Sequence, residues 1–153
     1  MRIKFDSERI YKHLKAVWAP TLTASVAITA FYFLHQNYHD NLLYHISGAA
    51  SALTFRLFDF YSTYRCTKQM EKPEFFEMGL DSRYRETNPV LPRHPKTKDL
   101  FSPLRTFIDL SFLAAATLFP PLGFGGLSIT PFVYKGNMKA AKNLEEIMNE
   151  KEK

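Results

Sequence analysis

Apolar residues gather along this chain in long runs, rather than recurring at helical spacing against a charged face. Residues 16–55 carry one formal charge, Asp40, and residues 110–134 carry none. A water-facing helix shows a polar stripe, so whole elements without charge predict helices surrounded by hydrocarbon. The clearest is Ala16–Leu34, uncharged throughout, which as a helix rises roughly 28 Å against a hydrocarbon core of about 30 Å. Trp18 lies near one end, and Phe31, Tyr32, Phe33 and Tyr38 crowd the other, where aromatic belts meet lipid headgroups. A cleaved signal peptide is the competing reading, but it calls for a shorter apolar core and a small-residue cleavage site. Phe31-Tyr32-Phe33-Leu34-His35 does not supply one.

The next run, Leu42 to about Tyr64, follows Asp40-Asn41 and opens with Ser47, Gly48, Ala49, Ala50, Ser51 and Ala52. Small residues let membrane helices approach closely, so this span is expected to face protein. Arg56 and Asp59 in its second half are spaced i,i+3 and share a helical face, where pairing lowers the cost of either charge at depth.

Pro120, Pro121, Gly123, Gly125 and Gly126 interrupt the third run, 110–134. Two adjacent prolines remove two amide donors and cannot sit inside a regular helix, so the segment either kinks or turns back as a hairpin. Cation counts choose between these. Segments 1–15, 65–106 and 135–153 hold five, nine and five Lys/Arg, while 35–41 and 119–126 hold none. Four passes put every cation-rich segment on one side, whereas three would translocate the lysines of the tail. The expected fold is therefore an all-α integral membrane four-helix bundle, its last two spans a Pro/Gly-broken hairpin. The spans lie near 16–35, 41–64, 104–119 and 124–140, with both termini on the cytoplasmic or matrix side. The third reaches a full crossing if Arg105 and Asp109 lie near the interface, and a re-entrant hairpin remains the alternative for 104–140.

Composition completes this outline. The 20 Lys+Arg and 15 Asp+Glu concentrate outside the spans of a single membrane domain, 1–153. Segment 1–15 reads as a basic amphipathic helix, with Ile10, Leu14 and Val17 beside Arg9, Lys12 and Lys15. Residues 65–103 form a cytoplasmic loop containing a proline-rich strip, Asn88 to Pro95. The polar tail, 141–153, continues a helix whose Met138, Ala141, Leu144 and Met148 share a face; a second surface helix and a solvated continuation of the last span both fit. The single cysteine, Cys66, excludes a disulfide scaffold, and beside Arg65 and Lys68 it reads as a thiol or an acylation site. Nothing resembles a base-reading motif, so nucleic acid is not an expected partner.

Candidate chemistry centres on Asp59-Phe60-Tyr61-Ser62-Thr63, then Gly79, then Glu86-Thr87-Asn88-Pro89. Asp59 and Thr63 fall on one helical face, and Asn-Pro favours a turn. If the loop folds back, Asp59 and Glu86 meet, with Arg56, Arg85 or Arg105 as neutralising partners and Asn137 nearby. At these residues the chain resembles a family of small uncharacterised prokaryotic multi-pass membrane proteins with a D-x-x-x-T helix end and a later E-x-N-P. The resemblance spans roughly 42–137 and implies a polar pocket at the inner face, built here from Asp59, Thr63, Glu86, Asn88 and Asn137. It supplies no activity. The loop before Glu86 is longer here. The plainer reading is structural, with Arg56 and Asp59 satisfying each other.

His35, His39 and His45 gather at the outer end of the first hairpin. On one continuous helix His35 and His39 would align, and His45 with Asp40 could complete a metal site. Asp40-Asn41 places a turn there, so an interfacial cluster without metal is the competing reading. No H-E-x-x-H, G-x-S-x-G or Walker sequence occurs, and no cofactor is expected. The sequence thus points to a non-catalytic structural or accessory subunit, packing in a bilayer against other membrane subunits. The alternative is an inner-leaflet enzyme or transporter using Asp59 and Glu86 as proton-handling or ion-binding carboxylates.

Overall fold

The computed structural model describes residues 7–82, 84, 91–92 and 94–151, with side chains from residue 18 onward except those of Ser82 and Lys151. All regular structure among them is helical, in accord with the all-α expectation. Four long helices, α1 (Ser7–Tyr38), α2 (Leu42–Met70), α4 (Pro103–Leu118) and α5 (Pro120–Lys151), are joined by short turns except between α2 and α4. That interval holds α3 (Pro73–Glu77) and two 3-10 turns, Leu80–Ser82 and Thr97–Phe101.

Polar residues set the helix boundaries. Asn41 caps α2, its side-chain oxygen accepting from the Leu43 amide at 2.9 Å and the Tyr44 amide at 3.3 Å, as the sequence turn at Asp40-Asn41 anticipated. Ser102 caps α4 by accepting from the Arg105 amide, with Pro103 following. The hairpin between α4 and α5 is tighter than expected, because Phe119 alone separates the helices. Pro120 and Pro121 occupy the first two positions of α5, where a missing amide costs no intrahelical bond. Gly123, Gly125 and Gly126 lie inside α5, not in the connection.

Those glycines are contact points. A Cβ on Gly123 would overlap the carbonyl oxygen of Gly48, and one on Gly48 would stand 2.5 Å from the Pro120 Cα. The α2 and α5 backbones therefore touch where they begin. They run parallel, for Gly48 meets Gly123 at one end and Ser62 and Thr63 meet Asn137 further along. Antiparallel to this pair lie α1, whose Phe31 stacks on Phe124 at 4.3 Å, and α4, whose Arg105 reaches Asp59.

A small apolar core closes the opposite end. Met70, Phe75, Leu80, Leu144 and Met148 are buried together, with Ile147, Met78 and Tyr84 against them. The apolar face of the expected tail helix thus covers the segment after α2. The expected loop is correspondingly folded: Glu71 accepts from the Thr97 amide at 2.6 Å and the Thr97 hydroxyl at 2.7 Å, and Leu91, Pro95 and Leu100 are buried.

Among the described residues no helix is long and apolar enough to cross a membrane. The first expected span begins at Ala16 and Val17, whose side chains lie outside the described set, as does the expected basic stripe of 1–15.

Candidate functional site

Two helices supply a four-membered charge network. Arg56 and Asp59 lie one turn apart on α2, and Arg105 and Asp109 one turn apart on α4; because the helices run oppositely, each arginine faces the other helix's aspartate. Arg105 donates from Nη2 to Asp59 Oδ2 at 3.2 Å, the oxygen that Arg56 Nη1 approaches at 3.5 Å. Arg56 Nη2 pairs with Asp109 Oδ1, and Arg105 Nε stands 3.8 Å from Asp109 Oδ2. Only 5% of the Arg105 side chain is exposed, against 19% for Asp59. Two guanidinium groups and two carboxylates cancel formally, which lets four charges occupy a helix interface.

A second cluster lies one turn along α2. Asn137 Nδ2 donates to Ser62 Oγ at 3.1 Å and Thr63 Oγ1 at 3.3 Å, and Ser62 donates to the Asp59 carbonyl oxygen at 3.1 Å. Of the expected pocket, Arg56 and Asp59 meet in the first cluster, and Thr63 and Asn137 meet in the second. Asn137 reaches the two hydroxyls rather than the Asp59 carboxylate. Glu86 and Asn88 lie outside the described residues.

Chemically the network is a brace. Its carboxylates face guanidinium groups, an arrangement that holds α2 and α4 in one register. Asp109 entered the sequence reading only as an interfacial residue, yet it completes the square. The signal was the repeated order of a cation followed one turn later by an acid, in both α2 and α4. Ser62 carried no comparable signal.

The histidines gather as expected but are committed elsewhere. His35 lies 6.3 Å from His39 and 6.4 Å from His45, ring centroid to centroid. Both ring nitrogens of His45 approach backbone carbonyls, Nδ1 that of Thr117 and Nε2 that of His39, each at 2.6 Å. His35 packs edge-on against Phe119, its ring centroid 4.9 Å away, and its buried Nδ1 makes no hydrogen bond. Among the described residues no three His, Cys, Asp or Glu side chains are placed to hold a metal ion.

No protein-family model, curated protein or solved structure matches the chain.

Proposed function

We propose that this chain is a small membrane-embedded helical bundle with a non-catalytic, accessory role, packing against lipid and other membrane subunits. One observation carries the reading: large apolar side chains crowd the outside of the bundle, while hydroxyl groups and a guanidinium lie within it. Ser51, Ser62, Thr63, Thr67 and Arg105 are buried, whereas Trp18, Leu22, Val26, Phe33, Leu42, Leu43, Leu57, Phe107 and Leu110 each keep more than half of their surface exposed. A water-soluble monomer rarely exposes so many large apolar side chains. Hydropathy averaged along a helix counts its inward polar residues together with its outward apolar ones, so a modest average accompanies an apolar outer face here.

Hydroxyl groups support the same reading. Ser25, Thr29, Thr54 and Thr117 donate to carbonyls one turn back in their own helices, which satisfies a hydroxyl where water is absent. The antiparallel course of α1 against α5 suits an even number of passes. The accessory role follows from a braced charge network without a convergent catalytic set among the described residues. A carboxylate-based enzyme or transporter has less behind it, since Asp59 faces Arg56 and Arg105.

The test is extraction. Membranes carrying the full chain are washed with alkaline carbonate and then with detergent; release by detergent alone is expected. Release by carbonate, or a monodisperse purified chain in buffer without detergent, overturns the membrane reading. Blue-native electrophoresis of the detergent extract is expected to place the chain in a larger complex, and migration only as a monomer overturns the accessory role.

A further inference from the structure

A groove of about 630 Å³ runs along α5 beside the end of α2, lined by Tyr134, Met138 and Ala141 on its floor and by Arg65, Lys135, Lys139 and Lys142 around it. Among the described residues Glu145 is its one acidic lining residue. Lys142 pairs with Glu146 at 3.4 Å, while Arg65, Lys135 and Lys139 make no ion pair with a described residue. The groove wall itself is mostly apolar, with the charged ends of these side chains at its rim. We infer that it holds an anionic phospholipid, apolar part along the wall and headgroup at the rim cations, an inference that rests on the membrane reading above.

The two helices repeat one pattern. Along α5, Phe132, Lys135, Lys139 and Lys142 fall on one stripe at i, i+3, i+7 and i+10; along α2, Phe58, Tyr61 and Arg65 do the same at i, i+3 and i+7. Phe132, Phe58 and Tyr61 are exposed, and Phe58 meets Tyr134 edge-on at 5.4 Å. Each stripe therefore passes from exposed aromatic rings to cations within two helical turns, at the point where the charge-free segment 110–134 ends. A ligand matching both parts carries a negative head and an apolar remainder. A free phosphate uses only the cations, and an acidic peptide leaves the exposed rings uncovered. The cationic end also holds the lysine-rich segment that cation asymmetry places on the anionic cytoplasmic leaflet.

The experiment reconstitutes the purified full chain with vesicles of phosphatidylcholine containing one fifth phosphatidylglycerol. Native mass spectrometry then reads the lipid retained after gentle detergent release. Wild type is expected to retain phosphatidylglycerol several-fold above its share of the vesicle. Each of K135Q and K139Q should bring retained phosphatidylglycerol back close to its share of the vesicle, one cation at an anionic surface weighing about fivefold, and K142Q, whose lysine pairs with Glu146, should lower it less. K72Q and K98Q, exposed outside the groove, should leave it unchanged. Equal retention of both lipids by wild type, or equal losses from K72Q and K98Q, overturns the assignment. So does inorganic phosphate displacing the lipid at millimolar concentration, which marks a free-anion site. Flotation separates the two readings: a chain that floats with pure phosphatidylcholine but shows no enrichment keeps the membrane reading and loses the headgroup site, whereas a chain that floats with neither vesicle loses both.

Discussion

The imidazole Nδ1 of His45 lies 2.6 Å from the carbonyl oxygen of Thr117, 72 residues further along the chain. Thr117 is in the last turn of α4, where carbonyls lack intrahelical donors. Nε2 of the same ring reaches the His39 carbonyl at 2.6 Å, just beyond the end of α1. One side chain in the first turn of α2 thereby caps the ends of two other helices. His45→Phe keeps a ring at this position but removes both nitrogens, and should lower the thermal unfolding temperature of the bundle in detergent by several degrees. An unchanged unfolding temperature in the variant would refute the cap.

Breaking the charge square should cost more than removing it. Asp59→Asn leaves Arg105, nearly buried, facing one carboxylate instead of two, and should destabilise the bundle by on the order of 3 kcal/mol. Adding Arg105→Gln should recover part of that loss, giving a coupling energy in a double-mutant cycle. Additive losses would mean that the two side chains do not act together. The same Asp59→Asn variant weighs the structural against the ion-handling reading: reduced accumulation in the membrane supports the brace, while a stable variant that abolishes a transport or proton-handling activity would support the other.

Gly123→Ala places a methyl group against the Gly48 carbonyl. Because the obstacle is backbone rather than a flexible side chain, α2 and α5 must separate, at a cost of about 1–3 kcal/mol. Gly136→Ala, with open space around its Cβ position, should be neutral or slightly stabilising, since alanine favours helix. Denaturation of both variants in the same detergent checks the contrast.

Leu144 is fully buried against the core containing Phe75 and Met70. Leu144→Ala should cost about 2–5 kcal/mol through lost burial and the cavity left behind, and should release the segment after α2 first. Limited proteolysis is expected to show faster cleavage between Lys72 and Lys98 in the variant, with α1 protected as before.

Leu57 points outward from the middle of α2, 60% exposed. In water Leu57→Lys would be nearly neutral, whereas within hydrocarbon it costs about 2–3 kcal/mol or more. Reduced membrane accumulation of the variant is the expected result. Unimpaired accumulation would place this face in water.

Several of these features were legible before any fold was known. The absence of charge over 16–34 and 110–134, the turn at Asp40-Asn41 and the prolines at 120 and 121 set four long helices, within a residue at the start of α2 and at both ends of α4, while α1 and α5 extend beyond the expected spans at both ends. Local chemistry decides such things, because caps and missing amides act over one helical turn. Continuation of α2 to Met70 was less visible: polar residues replace apolar ones after Tyr64, yet Thr67, Gln69 and Met70 are buried beneath a segment that sequence alone reads as open loop.

Helicity, the turn at Asp40-Asn41, the break at the two prolines and the charges inside otherwise apolar elements were all readable from local sequence. That Arg56 and Asp59 face Arg105 and Asp109, that Asn137 serves Ser62 and Thr63, and that His45 closes the ends of α1 and α4 came from packing alone. The reason is geometric. A residue's neighbours within its own helix are fixed by 3.6-residue periodicity, but its neighbours on another helix depend on the direction, rotation and axial offset of both. Those are set by packing as close as the meeting of Gly48 with Gly123.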